Sequence, residues 1–301
     1  MHIKKLASLL IIPLALTGCT NSLRYEDNII SASFYPMYLI GSEIAKDSGI
    51  EIKNTASPQT GCLHDYQLTT GNIRQLSHSD VLIINGGGME DSFIEKASEN
   101  SGIRIIDSSS HFGHHEDDHH EEESDHGHDH DHGENSHYWT SLSHASLQAE
   151  AIAHGLAEIY PEKEVLFESN LEAFEENCHI LKEKYDFSSY NSIKVVSFHE
   201  AFEFFCEENN IEIVKTFEID ENSTPSAKEL ASVAKEAKHL GVSAIFAAND
   251  GGKIYARTIA EEIGVPLVIL NPLTYENEET ESYFSSMDKN LSLIKELFEN
   301  E

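Results

Sequence analysis

The chain has 301 residues, 40% of them apolar, and sets 53 Asp and Glu against 20 Lys and Arg for a formal net charge of −33. That length suggests two domains or one large one, with enough apolar residues for ordinary cores. The acidity argues against a nucleic-acid partner, whose phosphates need clustered Lys and Arg, and it favours solubility and attracts cations.

Met1-His2-Ile3-Lys4-Lys5 is basic, and Leu6 to Leu16 is an apolar run of signal-peptide length, too short for a permanent bilayer-spanning helix. It closes in Leu16-Thr17-Gly18-Cys19, small residues before a cysteine, and resembles the lipobox of bacterial lipoproteins. The resemblance implies a signal peptide over residues 1–18, lipid on Cys19, a polar tether over 19–28, and a mature chain held outside the cytoplasmic membrane. The rival reading is a plain secretory signal with a chance cysteine.

Ile29–Phe34 reads as a strand. Pro36 opens a helix with Met37, Leu39, Ile40 and Ile44 on its apolar face. Ile50–Ile52 starts a second strand, followed by a turn-rich loop, Ser57 to Tyr66, that contains Cys62 and His64. A helix covers Thr70–Leu76. Val81–Asn85 is a continuous apolar run, the mark of a buried parallel strand. Gly86-Gly87-Gly88 turns the chain into a helix near Glu90–Ala97, and Ile103–Ile106 is a fourth strand. Such alternation predicts an α/β lobe with a parallel sheet and a ligand edge at the carboxyl ends of its strands.

From His111 to His137 the periodicity stops. Ten of these 27 residues are histidine, ten are Asp or Glu, none is Lys or Arg, and Phe112 is the one large apolar side chain. Too little apolar surface is available to offset ordering entropy, so the composition predicts a mobile loop. His111, His114, His115, His119, His120, His126, His128, His130 and His132 are imidazoles suited, with the carboxylates, to zinc, copper or nickel. Many equivalent ligands give weak, exchanging geometries, so this is an accessory metal-gathering segment, and a fixed site belongs to the folded parts. The rival reading is a solvated acidic linker.

Leu142–Tyr160 is a helix, and Pro161 ends it and starts another. Val165, Leu166, Leu171, Phe174, Ile180, Leu181 and Tyr185 keep helical spacing from Glu162 to Asp186, a length of about 40 Å, long enough to brace two lobes. The alternation then repeats. Strands are Lys194–Phe198, Ile211–Val214, Ala244–Ala247 and Pro266–Leu270. Helices lie near Ala201–Glu208, Ala227–Leu240, Lys253–Ile263 and Glu281–Phe298. Ser226 and Glu229 are placed for a capping box, and Gly241 and Gly264 for C-terminal stops. The predicted fold is α/β: two Rossmann-like parallel-sheet lobes, 29–158 and 187–301, joined by one long rigid helix in 159–186, with a site in the cleft between them. Cys62, Cys178 and Cys206 are odd in number and lack CxxC spacing, which predicts small buried residues with one disulfide left open.

Three histidines fall at strand ends facing that cleft: His64 after the second strand, His137 before Tyr138-Trp139, and His199 after the fifth strand. A lone histidine is more often structural than a ligand. Three at equivalent topological positions can form a zinc first shell.

Four segments and the C-terminal stretch Ser282–Leu291 resemble the metal-binding proteins of bacterial ABC uptake systems, specifically the zinc branch. The segments are Gly61-Cys62-Leu63-His64-Asp65-Tyr66, Asn85-Gly86-Gly87-Gly88-Met89-Glu90, His137-Tyr138-Trp139 and Phe198-His199-Glu200-Ala201-Phe202. The acidic histidine-rich insertion is typical of that branch. The resemblance implies an extracytoplasmic, monomeric Zn2+-binding lipoprotein that delivers its ion to an ABC permease, with His64, His137 and His199 as ligands. Where many members carry an acidic residue and Pro-Gln after the seventh strand, this chain has Ala248-Asn249-Asp250. Manganese members take a fourth ligand, an Asp, from the loop after the last strand. Here Glu276 is the candidate, with water or a loop carboxylate as alternatives. Three neutral imidazoles favour zinc over manganese. The rivals are uptake of another divalent metal, and a metal-buffering or adhesive surface lipoprotein. A zinc hydrolase is the least supported: His199-Glu200-Ala201-Phe202-Glu203 is not HExxH, and neither a nucleophile elbow nor a phosphate loop is present.

Overall fold

The computed structural model describes residues 29–56, 63, 66–99, 102–112, 135–217, 225–248, 252–274 and 282–300. The N-terminal lobe alternates β1 (Ile29–Ala32), α1 (Tyr35–Ile44), β2 (Glu51–Asn54), α2 (Thr70–Leu76), β3 (Val81–Ile84), α3 (Asp91–Glu99) and β4 (Arg104–Asp107). The four strands are parallel in the order β2-β1-β3-β4. All four residues of β3 are buried, as its unbroken apolar run requires of a central strand covered on both faces. β1 stops at Ala32 because Phe34, although extended, is already the N-cap of α1, with Pro36 in the first turn. Met37, Ile40 and Ile44 of α1 are fully buried.

Next come a 3-10 turn (Tyr138–Thr140), α4 (Leu142–Ile159), a second 3-10 turn (Pro161–Lys163) and α5 (Glu164–Lys184). The 25-residue helix expected over 162–186 is therefore 21 residues, about 31 Å, because the turn opened by Pro161 winds more tightly. Phe167, Phe174, Cys178 and Leu181 line its buried stripe, and it packs on α1 and α4. Asn170 donates both amide hydrogens to the carbonyls of Ile44 and Lys46, groups left without helical partners at the end of α1.

The C-terminal lobe repeats the plan with β5 (Ile193–Ser197), a 3-10 turn (Glu200–Phe202), α6 (Glu203–Glu208), β6 (Ile211–Thr216), α7 (Ala227–Leu240), β7 (Ala244–Ala247), α8 (Gly252–Ile263) and β8 (Leu267–Ile269). Its parallel order, β6-β5-β7-β8, is that of the first sheet. α9 (Tyr283–Glu299) returns to pack on α1 and α5. In each sheet the chain steps out on one side of the first strand and crosses back to the other. The crevice between β1 and β3, and that between β5 and β7, are therefore the places where this architecture holds ligands.

One core cluster runs through both lobes, and a second lies in the C-terminal lobe, where Val196, Ile245 and Ala247 pack with Ala234 and Ala237 of α7 and Ala256 and Ile259 of α8. Trp139, fully buried, meets Phe34 edge-on at 5.0 Å and donates Nε1–H to the Pro272 carbonyl at 2.7 Å. Its own carbonyl accepts from the Tyr283 hydroxyl at 2.9 Å. Cys178 and Cys206 are buried free thiols, so they do not pair with each other, and Cys62 lies outside the described residues. No described helix is long and apolar enough to cross a membrane.

Candidate metal centre

The N-terminal half of the site is built on the turn after β3. Gly86, Gly87 and Gly88 all adopt positive φ, which only glycine takes without strain. A Cβ on Gly86 would sit 2.2 Å from Asp107 Oδ1, and one on Gly87 would sit 2.6 Å from Ser136 Cβ. The missing side chains are what let residues 136–138 lie against this turn. Asn85 fastens them, donating Nδ2–H to the Ser136 carbonyl at 2.9 Å and accepting from Gln148 of α4 at 2.8 Å. Glu90 closes the turn from beneath. Its carboxylate accepts from Asn85 N at 2.7 Å, Ser33 Oγ at 2.8 Å and Gly86 N at 3.1 Å. Burial pushes the Glu90 carboxyl up to about 7, against those hydrogen bonds, with a smaller upward push from Asp107.

His137 is fully buried at the head of the Tyr138–Thr140 turn. Its ring lies 5.0 Å from that of Trp139 and 5.9 Å from that of His199, perpendicular to the latter at 89°. Its Nε2 is 3.8 Å from Glu200 Oε1, and its Nδ1 is 2.7 Å from Asn135 Oδ1. The Thr140 hydroxyl lies 2.9 Å from the carbonyl oxygens of both His137 and Ala201, joining the two halves of the site.

His199 leaves β5 at the crevice beside β7 and caps the Glu200–Phe202 turn, its Nδ1 accepting from Ala201 N at 3.0 Å. Capped in this way, the neutral ring carries its proton on Nε2. A metal taken at Nε2 must displace that proton, or the ring must surrender the cap. Two imidazoles bound at about 2.0–2.1 Å to one tetrahedral ion place their ring centres about 5 Å apart. The His137–His199 separation is within an ångström of that.

Of the ligands expected from the sequence, His137 and His199 come together. His64 and Glu276 lie outside the described residues, as do Cys19, Asn249, Asp250, and His114, His115, His119, His120, His126, His128, His130 and His132. His111 is exposed, 3.8 Å from Glu150 of α4. Among the described residues no group of three or more His, Cys, Asp or Glu side chains is placed to hold a metal ion, so Glu200 does not complete the histidine pair. Phe112 stacks on Tyr138 at 4.0 Å, and Tyr138 on Phe204 of α6 at 5.5 Å. The two flanks of the histidine-rich segment therefore meet beside the cleft. Sequence reasoning missed Asn135, and it assigned no role to Asn85 or Glu90, although they end the Asn85–Glu90 segment that carries the resemblance. Asn135 left a local trace, since an Asn two residues ahead of a backbone N–H is a common turn former.

Two like parallel sheets, with an imidazole contributed from each lobe, define a two-lobed α/β fold. A family model described as zinc-uptake complex component A, periplasmic, matches residues 30–297, and the chain belongs to that family. The zinc-binding lipoprotein AdcA of Streptococcus pneumoniae is 26% identical over 323 residues, covering 99% of this chain and 62% of that protein, so the chain spans under two thirds of the relative's length. Among solved structures, the Ni2+ complex of FpvC from Pseudomonas aeruginosa superposes with TM-score 0.75 at 22% identity, over 90% of this chain and 97% of that one. The Zn(II)-bound ZnuA-like domain of S. pneumoniae AdcA does so with TM-score 0.73 at 23% identity, over 90% and 99%. At these identities the structures establish a shared fold.

Proposed function

We propose that this protein is the extracytoplasmic, monomeric zinc-binding component of an ABC import system, which captures Zn2+ in the interlobe cleft and hands it to a membrane permease. The observation that carries the reading is the approach of His137 and His199, one from each lobe, in a chain of the zinc-uptake family. His64 supplies the third imidazole. Glu276 or water takes the fourth position. Histidines of the 111–137 segment gather ions weakly and raise their local concentration. Residues 1–18 are the signal peptide, Cys19 carries the lipid anchor, and 19–28 form the tether. Residues 29–158 and 187–301 are the lobes, with 159–186 linking them. The family is one of transport proteins, and we assign the chain no catalysis: Glu200, 3.8 Å from the His137 ring nitrogen, lies beside the histidine pair without completing it.

Zinc stoichiometry and affinity with residues 111–134 deleted test this reading. One tight ion should remain, and it should be lost when His137 or His199 is replaced by alanine. Disappearance of all tight binding with the deletion would refute a two-level mechanism, and tight binding indifferent to both histidines would refute the site.

A further inference from the structure

Asn135 uses every hydrogen-bonding position of its amide. Its Oδ1 accepts from the backbone N–H of His137 at 3.0 Å and faces the same residue's Nδ1 at 2.7 Å. Its Nδ2 donates to the Glu200 carbonyl at 3.1 Å and to Glu203 Oε2 at 2.7 Å. Reversing the amide would set NH2 against a backbone N–H, and oxygen against a carbonyl and a carboxylate. The surrounding groups thus fix which end is oxygen. An oxygen has no proton to give, so the short contact to His137 requires the proton to sit on Nδ1. In a neutral ring the lone pair is then on Nε2.

We propose that Asn135 is a positioning residue for metal capture: its amide locks the buried His137 ring as the Nδ1–H tautomer, with Nε2 presented to the ion, and ties that ring to the lobe that carries His199. The proposal rests on the zinc-ligand reading above and deepens it. The two donors of Asn135 hold the Glu200–Phe202 turn and the start of α6, and His199 is the cap of that turn. One side chain therefore sets the tautomer of one ligand and the spacing to the other. Hydrogen bonding at Nδ1 also makes Nε2 a stronger donor to a metal. His199 has the opposite arrangement, its Nδ1 accepting, so only His137 is in a ligating tautomer before the ion arrives.

The test uses the full chain labelled with 15N-histidine, the His137 signals being identified by their loss in His137→Gln. In the zinc-free wild type at about pH 8, where imidazoles are neutral, long-range proton–nitrogen spectra should show His137 as Nδ1–H. Asn135→Ala should release the ring into a mixture of tautomers. It should also weaken zinc binding about 10–100-fold, measured against a chelator strong enough to strip the loop imidazoles. Asn135→Asp keeps an acceptor for both His137 N–H groups. It should retain the tautomer, with an affinity between the other two because the interlobe donors are gone. An Nε2–H tautomer in the wild type overturns the proposal, as does loss of the Nδ1–H tautomer in Asn135→Asp. Wild-type affinity in Asn135→Ala overturns it too. If Asn135→Ala does not fold, the other two arms still decide. Zinc affinity unchanged in His137→Gln and His199→Gln would defeat the zinc-ligand reading, separately from the tautomer result.

Discussion

Glu90 shows how a residue that touches neither histidine supports the turn on which one of them rests. It is 1% exposed, and three hydrogens point at its carboxylate from β1 and the turn after β3. Those bonds favour the ionised form, but burial outweighs them and the carboxyl rises to about 7 from 4.5. The folded state then binds a proton that the unfolded chain has released between those two values. The stability it confers is fully present below about 4.5 and is lost as pH rises through 7, a swing of about 3 kcal/mol at about 1.4 kcal/mol per pKa unit. The many surface carboxylates titrate as well, so the observable is a difference. Urea denaturation of wild type and Glu90→Gln from pH 5 to pH 8 should show the wild-type advantage shrinking with rising pH. A constant difference across that range would mean that Glu90 does not carry the proton.

At the scale of elements, α4 begins where the lobes meet, and its N-terminus is held from the other lobe. Ser141 accepts from His144 N at 3.2 Å, while Glu208 of α6 accepts from Leu142 N at 2.7 Å and Ser143 N at 2.9 Å and lies 3.2 Å from Lys182 of α5. Burial pushes the Glu208 carboxyl up, but the Ser143 hydroxyl, Lys182 and the two backbone donors together bring it below its usual value. Its stabilising effect is therefore present above the ordinary Glu range and lost as pH falls through the lowered value. Glu208→Ala should cost about 1–3 kcal/mol at pH 7, because it strands two helix N–H groups and removes the carboxylate paired with Lys182, which keeps the Ser143 hydroxyl. That cost should fade in acid, by the same denaturation measurement. Elements whose ends are set by local chemistry were legible in the sequence: the bounds of α7 match the Ser226–Glu229 capping box and the left-handed Gly241, and α2 and β7 also fall where expected. The brace was overestimated, since apolar spacing alone does not distinguish a 3-10 turn from an α-helix. The roles of Asn85 and Glu208 were invisible for a different reason. Their long-range partners lie 51 and 66 residues away, so no local pattern assigns those bonds.

For the whole molecule, the question is whether the cleft opens as a hinge. Trp139, the single tryptophan, lies at the junction, touching Phe34 of one lobe, the Pro272 carbonyl after the last strand of the other, and Tyr283 of α9. Parting the lobes would break two hydrogen bonds, Trp139 Nε1–H to the Pro272 carbonyl and the Tyr283 hydroxyl to the Trp139 carbonyl, at about 0.5–1.5 kcal/mol each once water re-pairs the groups. It would also expose a buried indole worth several kcal/mol more. An open state that costly would be populated far below 1%, since that level already corresponds to about 2.7 kcal/mol. On the proposed function, entry and release of the ion must then use local movement beside the histidine pair, with the sheets kept in register. Small-angle scattering should accordingly give radii of gyration for zinc-free and zinc-loaded protein that agree within about 1 Å. Tryptophan fluorescence should respond to zinc, because the indole stands 5.0 Å from the His137 ring. On denaturation the same fluorescence should change together with far-ultraviolet circular dichroism, as a core cluster shared by the two lobes predicts. A separate early fluorescence transition, or a contraction of several ångströms on binding zinc, would show that the lobes move as independent bodies and that the shared core does not hold them.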